Sequence, residues 1–250
     1  MSRVFALDVR IAAALVCSLA AAAPSSAAAQ GFWSPDDPGV VRLSESDVDA
    51  SDQEAADAYR DLLGMWTSEL RRIGVRFAPP QLVRYRGAMR TPCGIVAPSN
   101  ASYCLNSNTI YFDDVFVAAQ AKLAGEALGT DGDMVAVGII AHEMGHAVAF
   151  QLGHIFRDSY RNEAIADCLA GAFARHADVA GELQDGDIDE AFFGMAAAAD
   201  PTFNSTGDPR IDRRMNARLA RAAHGTRDQR IGNFRAGLDR GGGACLDELR

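Results

Sequence analysis

No stretch of this chain is both apolar and long enough to span a bilayer comfortably. About 20 residues are needed; the N-terminal run at 11–23 falls short, and no later one is suited. No block of basic residues appears either, and the formal charge is −9. That excludes nucleic acid as an expected partner. No Cys-x-x-Cys pair exists, so a cysteine-ligated zinc module is excluded. No internal repeat is present, which excludes a solenoid. Histidine is scarce, with five in 250 residues. The rest is ordinary globular composition, 48% hydrophobic and 23% charged, enough for one large domain or two small ones.

Two of the scarce histidines stand four apart, in His142-Glu143-Met144-Gly145-His146. The surrounding run, Met134 to Phe150, has the length and composition of a buried helix. Residues four apart share one helical face, so His142 and His146 can offer two imidazole nitrogens to one metal ion. Zinc takes such nitrogens at about 2.0–2.1 Å. Glu143 sits one position round from His142, placed to reach a water rather than the ion. Two ligands and a general base on one turn is the pattern of a metallohydrolase. The alternative is an ordinary helix whose His and Glu are merely exposed or paired. In an apolar run it would bury three polar groups without partners, at a cost of several kcal/mol.

A catalytic zinc usually keeps three protein ligands and one open position. The metzincin offsets for a third histidine fall on Ala149 and Leu152, so that pattern fails. His154 follows Gly153 at the expected helix end and reads as a surface or capping residue. Glu163 is the better third ligand. It opens Glu163-Ala-Ile-Ala-Asp167-Cys168, where Glu163 and Asp167 share a helical face. Asp167 is expected behind a ligating histidine, since such a ring usually donates its other N–H to a carboxylate. Ala166, Ala170 and Gly171 on this helix, and Ala141, Gly145 and Ala149 on the other, leave small faces that would let the two backbones approach. The bland counterpart is a solvated Glu–Asp face.

The N-terminus reads as a signal peptide, 1–29. Arg3 and Arg10 flank the n-region, 11–23 is the apolar core, and Ala27 and Ala29 fit A-x-A cleavage before Gln30. An uncleaved membrane anchor is the alternative. Cys17, preceded by Val16, makes a poor lipidation site. Removing 1–29 leaves Cys93, Cys104, Cys168 and Cys245, an even number that reads as disulfides in an exported chain, periplasmic or secreted. Of three connectivities, Cys93–Cys104 closes a local loop and Cys168–Cys245 ties the C-terminus to a helix, and we prefer that pair.

The remaining chain reads as a lead-in and helix over 30–80, then a domain over 81–250. Helices are expected at 46–72, from Asp113-Asp114 to Leu128, from a Thr130–Asp133 capping box to Gly153, and at 161–176, 187–199, 209–223 and 226–240. Strands are expected at 81–85 and 109–112, a loop at 91–108 and a glycine hinge at 241–243. The fold class is α+β, helix-rich with a small sheet.

Ile140 to His146 followed by Glu163 to Cys168 resembles the bacterial neutral zinc metallopeptidases of the Glu-zincin type. The likeness extends to Cys93-Gly94, Tyr103-Cys104, Thr109 to Asp113, His224-Gly-Thr226, Gln229-Arg230, Phe234 and Gly237, spanning roughly 90 to 245. One departure is Ala147, where relatives often carry a second histidine. The resemblance implies a zincin-like fold, a zinc cofactor, peptidase chemistry on a peptide or protein substrate, and Glu before Asp in ligand order. The strand Thr109–Phe112 is expected to present an open edge to an extended peptide, and the resemblance implies that it lines the cleft. No stable membrane insertion is expected after signal cleavage. Candidates for an oxyanion donor are His224, Tyr160 and Arg161, although His224 reads equally well as a turn ahead of Thr226. The rival reading is a non-catalytic, zinc-stabilised binding or scaffold protein on the same fold.

Overall fold

The structure is a computed structural model that describes residues 41–200, 206–219 and 224–247. The expected signal peptide and the lead-in up to residue 40 lie outside the described residues, as does the end of the 209–223 helix.

The first helix, α1 (Glu45–Arg72), starts at a capping box: Ser44 accepts from the Asp47 backbone, and Asp47 accepts from that of Ser44. Such a cap is worth about 1 kcal/mol. Its inner face carries Ala55, Leu62, Trp66 and Leu70, all buried in one core with Ile140, Met144 and Val148. Five strands follow: β1 (Gln81–Tyr85), β2 (Met89–Thr91), β3 (Gly94–Val96), β4 (Ala101–Cys104) and β5 (Thr109–Asp113). β5 is buried along its whole length and lies centrally, parallel to β1 and antiparallel to β4. β2 and β3 form a separate antiparallel hairpin.

The expected loop at 91–108 therefore holds two strands and the end of a third. Their Pro, Ser and Asn content hides them, because short strands are fixed by their partners more than by propensity. The expectation that Thr109–Phe112 offers an open edge is also corrected. β5 is paired on both sides, and β4 forms the edge on the side of the metal-motif helix.

The helices are α2 (Asp114–Leu128), α3 (Asp133–Gln151), α4 (Ser159–Ala180), α5 (Asp187–Ala197), α6 (Pro209–Leu219), α7 (Arg227–Arg240) and α8 (Gly242–Asp247). Helix α3 is apolar all round and runs through the core, as an interior helix does. The expected Thr130–Asp133 capping box does not form. Gly132 is the N-cap and makes no side-chain bond. Instead the fully buried Glu190 of α5 accepts from the backbone N–H groups of Gly132 and Met134, at 3.0 and 2.9 Å. The 241–243 hinge is likewise replaced, by Gly241 and the first turn of α8.

Two close helix contacts set the site. A Cβ added at Gly145 of α3 would stand 2.8 Å from the carbonyl oxygen of Ala166 on α4. Backbone thus meets backbone there, as the small-residue faces imply. Gly171, expected on that same face, is turned instead to α7, where an added Cβ would overlap the Phe234 carbonyl. The fold is thus a helix-rich α+β architecture with a small mixed sheet. No described helix is long and apolar enough to cross a membrane. Both preferred disulfides are present, Cys93–Cys104 and Cys168–Cys245. The second joins α4 to α8.

Candidate metal centre

His142, Glu143 and His146 lie on the middle of α3, and Glu163 and Asp167 on the first half of α4. The close approach at Gly145 brings the two sets together. Glu163 spans both rings: one carboxylate oxygen lies 3.2 Å from His142 Nε2 and the other 3.5 Å from His146 Nε2. The ligand atoms of His142, His146 and Glu163 all fall within 4.8 Å of one another. Asp167 stands on the opposite side of the His142 ring, with Oδ1 2.9 Å from Nδ1. The two carboxylates thus divide as their lengths suggest: Glu163 faces the Nε2 atoms and Asp167 backs one ring.

This donor set fits a zinc ion. Two imidazoles and one carboxylate on a mostly buried wall is the composition of an open catalytic site. His142 has its other nitrogen held by a carboxylate, as metal-bound histidines do. His154 is not part of the cluster; its ring lies against Phe156.

The charges are strongly perturbed. Burial opposes a charged His142, yet the hydrogen bonds to Asp167 and Glu163 outweigh it and push the ring up to about 10. His142 Nε2 and Glu163 Oε2 face each other at 3.2 Å, and a metal would bind there only with Nε2 unprotonated. Burial and the His142 charge push His146 down to about 4, into the neutral form that a ligand needs. Glu163 is held well below the usual carboxylate range: burial opposes its charge, and His142 prevails. Glu143 is 7% exposed, and its burial pushes it up to about 7. Its Oε2 accepts from the Tyr103 backbone N–H on the β4 edge at 2.7 Å.

One residue at the centre had no role assigned from sequence. Arg230 of α7 is 3% exposed and grips Asp167 with two nitrogens: Nη2 donates to Oδ1 at 2.5 Å and Nε to Oδ2 at 3.1 Å. Its Nη1 donates to the Ala198 carbonyl. The signal was available, since Arg230, Phe234 and Gly237 form the buried stripe of α7 and an arginine in such a stripe needs a partner.

The three oxyanion candidates make contacts with other residues than the cluster. His224 is exposed, and its Nδ1 is 3.4 Å from Asp200. The Tyr160 ring lies against Gly225. The Arg161 guanidinium stacks on Phe156, 3.9 Å from the ring centre.

The chain is 32% identical over 197 residues to "Uncharacterized protein YpfJ" of Escherichia coli strain K12, covering 70% of this chain and 63% of that protein. The counterpart in Escherichia coli O6:H1 matches to the same extent. The chain thus spans less than two thirds of the length of these relatives. No solved structure matches it. Residues 30–248 match the model of one family, and the chain belongs to that family, described as "Putative neutral zinc metallopeptidase".

Proposed function

We propose that the protein is an exported zinc-dependent endopeptidase in which His142, His146 and Glu163 hold the ion and Glu143 is the general base. The observation that carries this reading is the convergence of those three ligand groups beside a buried carboxylate that is not one of them. A purely structural zinc site needs no such base.

The chemistry that a bound zinc supplies is Lewis acidity toward a water molecule and the scissile carbonyl. Glu143 takes the proton of the attacking water and passes it to the leaving amine. The Tyr103 N–H holds the Glu143 carboxylate at the β4 edge. An extended peptide adds to that edge as a further strand, its backbone held by main-chain hydrogen bonds. Asp167 keeps His142 turned with Nε2 toward the ion. His224, whose ring lies beside Asp200, is the candidate donor to the developing oxyanion. The two disulfides support an oxidising compartment and hence export.

The test is Glu143→Gln on the exported chain, assayed against an unstructured protein and a quenched peptide library. Zinc content and fold should persist while hydrolysis falls by at least about 10²-fold. Undiminished hydrolysis would refute the assignment.

A further inference from the structure

We propose that Arg230 is the positioning residue of the metal centre. It fixes the Asp167 carboxylate so that Asp167 accepts from His142 Nδ1 and the ring presents Nε2 to the ion. The inference rests on the zinc reading above and extends it to a third helix.

A guanidinium carries donors and no acceptor. Arg230 therefore cannot take the Nδ1 proton of His142, although its Nη2 lies 3.3 Å from that atom. Among the described residues, the acceptor that faces both groups is Asp167 Oδ1, which meets Nη2 at 2.5 Å and Nδ1 at 2.9 Å. The second bond, from Nε to Oδ2, makes the grip bidentate and fixes the plane of the carboxylate. With both oxygens engaged, Asp167 is kept off the ion, and the ligand position falls to Glu163. The guanidinium is itself anchored, through Nη1 on the Ala198 carbonyl just past α5. Helix α7 lies close enough for this reach because it meets α4 backbone to backbone at Gly171.

Charge points the same way. Arg230 is 3% exposed and Asp167 fully buried, so each charge at this point needs the other as its partner. A lysine would restore the charge without the fork.

The experiment measures zinc affinity of the folded chain by competition with a chromogenic chelator, and the visible spectrum of the cobalt-substituted protein. Arg230→Met should weaken zinc about 10–100-fold and alter the cobalt bands, with circular dichroism unchanged. Arg230→Lys should not restore the affinity. Asp167→Asn should weaken zinc similarly, and the double variant should be no worse than the poorer single one, because the two residues act as one unit. Zinc affinity in Arg230→Met that is unchanged or tighter would overturn the proposal, since the guanidinium would then act only as a like charge on the ion. Full rescue by Arg230→Lys would also overturn it, as would additive losses in the double variant. Should Arg230→Met fail to fold, the Arg230→Lys affinity and cobalt spectrum decide alone: native values overturn the proposal and weakened binding with altered bands upholds it. Failure of the unaltered chain to bind zinc would instead refute the underlying reading, and the inference would fall with it.

Discussion

Breaking the two disulfides should cost different amounts of stability, in a ratio set by the chain between their ends. Cys168–Cys245 closes 77 residues and Cys93–Cys104 closes 11. On the loop-closure model the longer bridge contributes about 4.5 kcal/mol and the shorter about 2.8. The difference, about 1.7 kcal/mol, depends only on the ratio of the lengths and is the safer quantity. Packing adds to it in the same direction. Cys168 and Cys245 are both buried, whereas of the shorter pair only Cys104 is. A domain is typically stable by about 5–15 kcal/mol, so losing the long bridge leaves it marginal. The assay is chemical unfolding of the paired Cys→Ala variants, after non-reducing peptide mapping has verified both bridges in the parent. Midpoints and slopes are read together, because a changed slope reports a changed unfolded state. Equal losses, or a larger loss from the Cys93–Cys104 pair, would refute the reasoning.

Burial, then Asp131, Asp187 and Glu190, push Asp133 up to about 7 from 3.8. A carboxyl that holds its proton more tightly folded than unfolded contributes stability below about pH 4 that drains away as the pH climbs through 7. Asp133→Asn should flatten that decline in the unfolding midpoint, and an unchanged pH profile would count against it. Gly→Ala inside a helix ordinarily stabilises by about 1 kcal/mol. At Gly145 the sign should invert, because the added carbon meets the Ala166 carbonyl at 2.8 Å. Thermal unfolding should show a loss of about 1–3 kcal/mol; a gain would show that α3 and α4 can separate freely.

The parts of the centre written in adjacent turns were legible in the sequence. His142, Glu143 and His146 lie on one helix, and Glu163 with Asp167 on the next; spacing and side-chain length were enough to place them. The contributions from far along the chain were not. The Thr130–Asp133 pattern satisfies every local rule for a cap, yet the carboxylate of Glu190 took the backbone donors, 58 and 56 positions away. Thr130 Oγ1 is left buried with no hydrogen-bond partner among the described residues. β4 escaped notice because β5 and α3, not its own composition, define it. Arg230 stood in plain view on the buried stripe of α7, but its partner lies 63 residues earlier. Local pattern finds elements, and only the packed chain shows which distant group wins a shared donor.

That spread along the chain has a consequence in time. Asp167 and His142 meet Arg230 only once α7 exists, and the bridge that fastens α4 waits for Cys245 on α8. Contacts between residues so far apart form late, after the loops between them have closed. A nascent chain that has produced α3 and α4 carries His142, His146, Glu163 and Asp167 but neither Arg230 nor the second bridge. The cluster is therefore complete only after α7 and Cys245 have been made and docked, and a chain that has not yet reached them does not hold it in place.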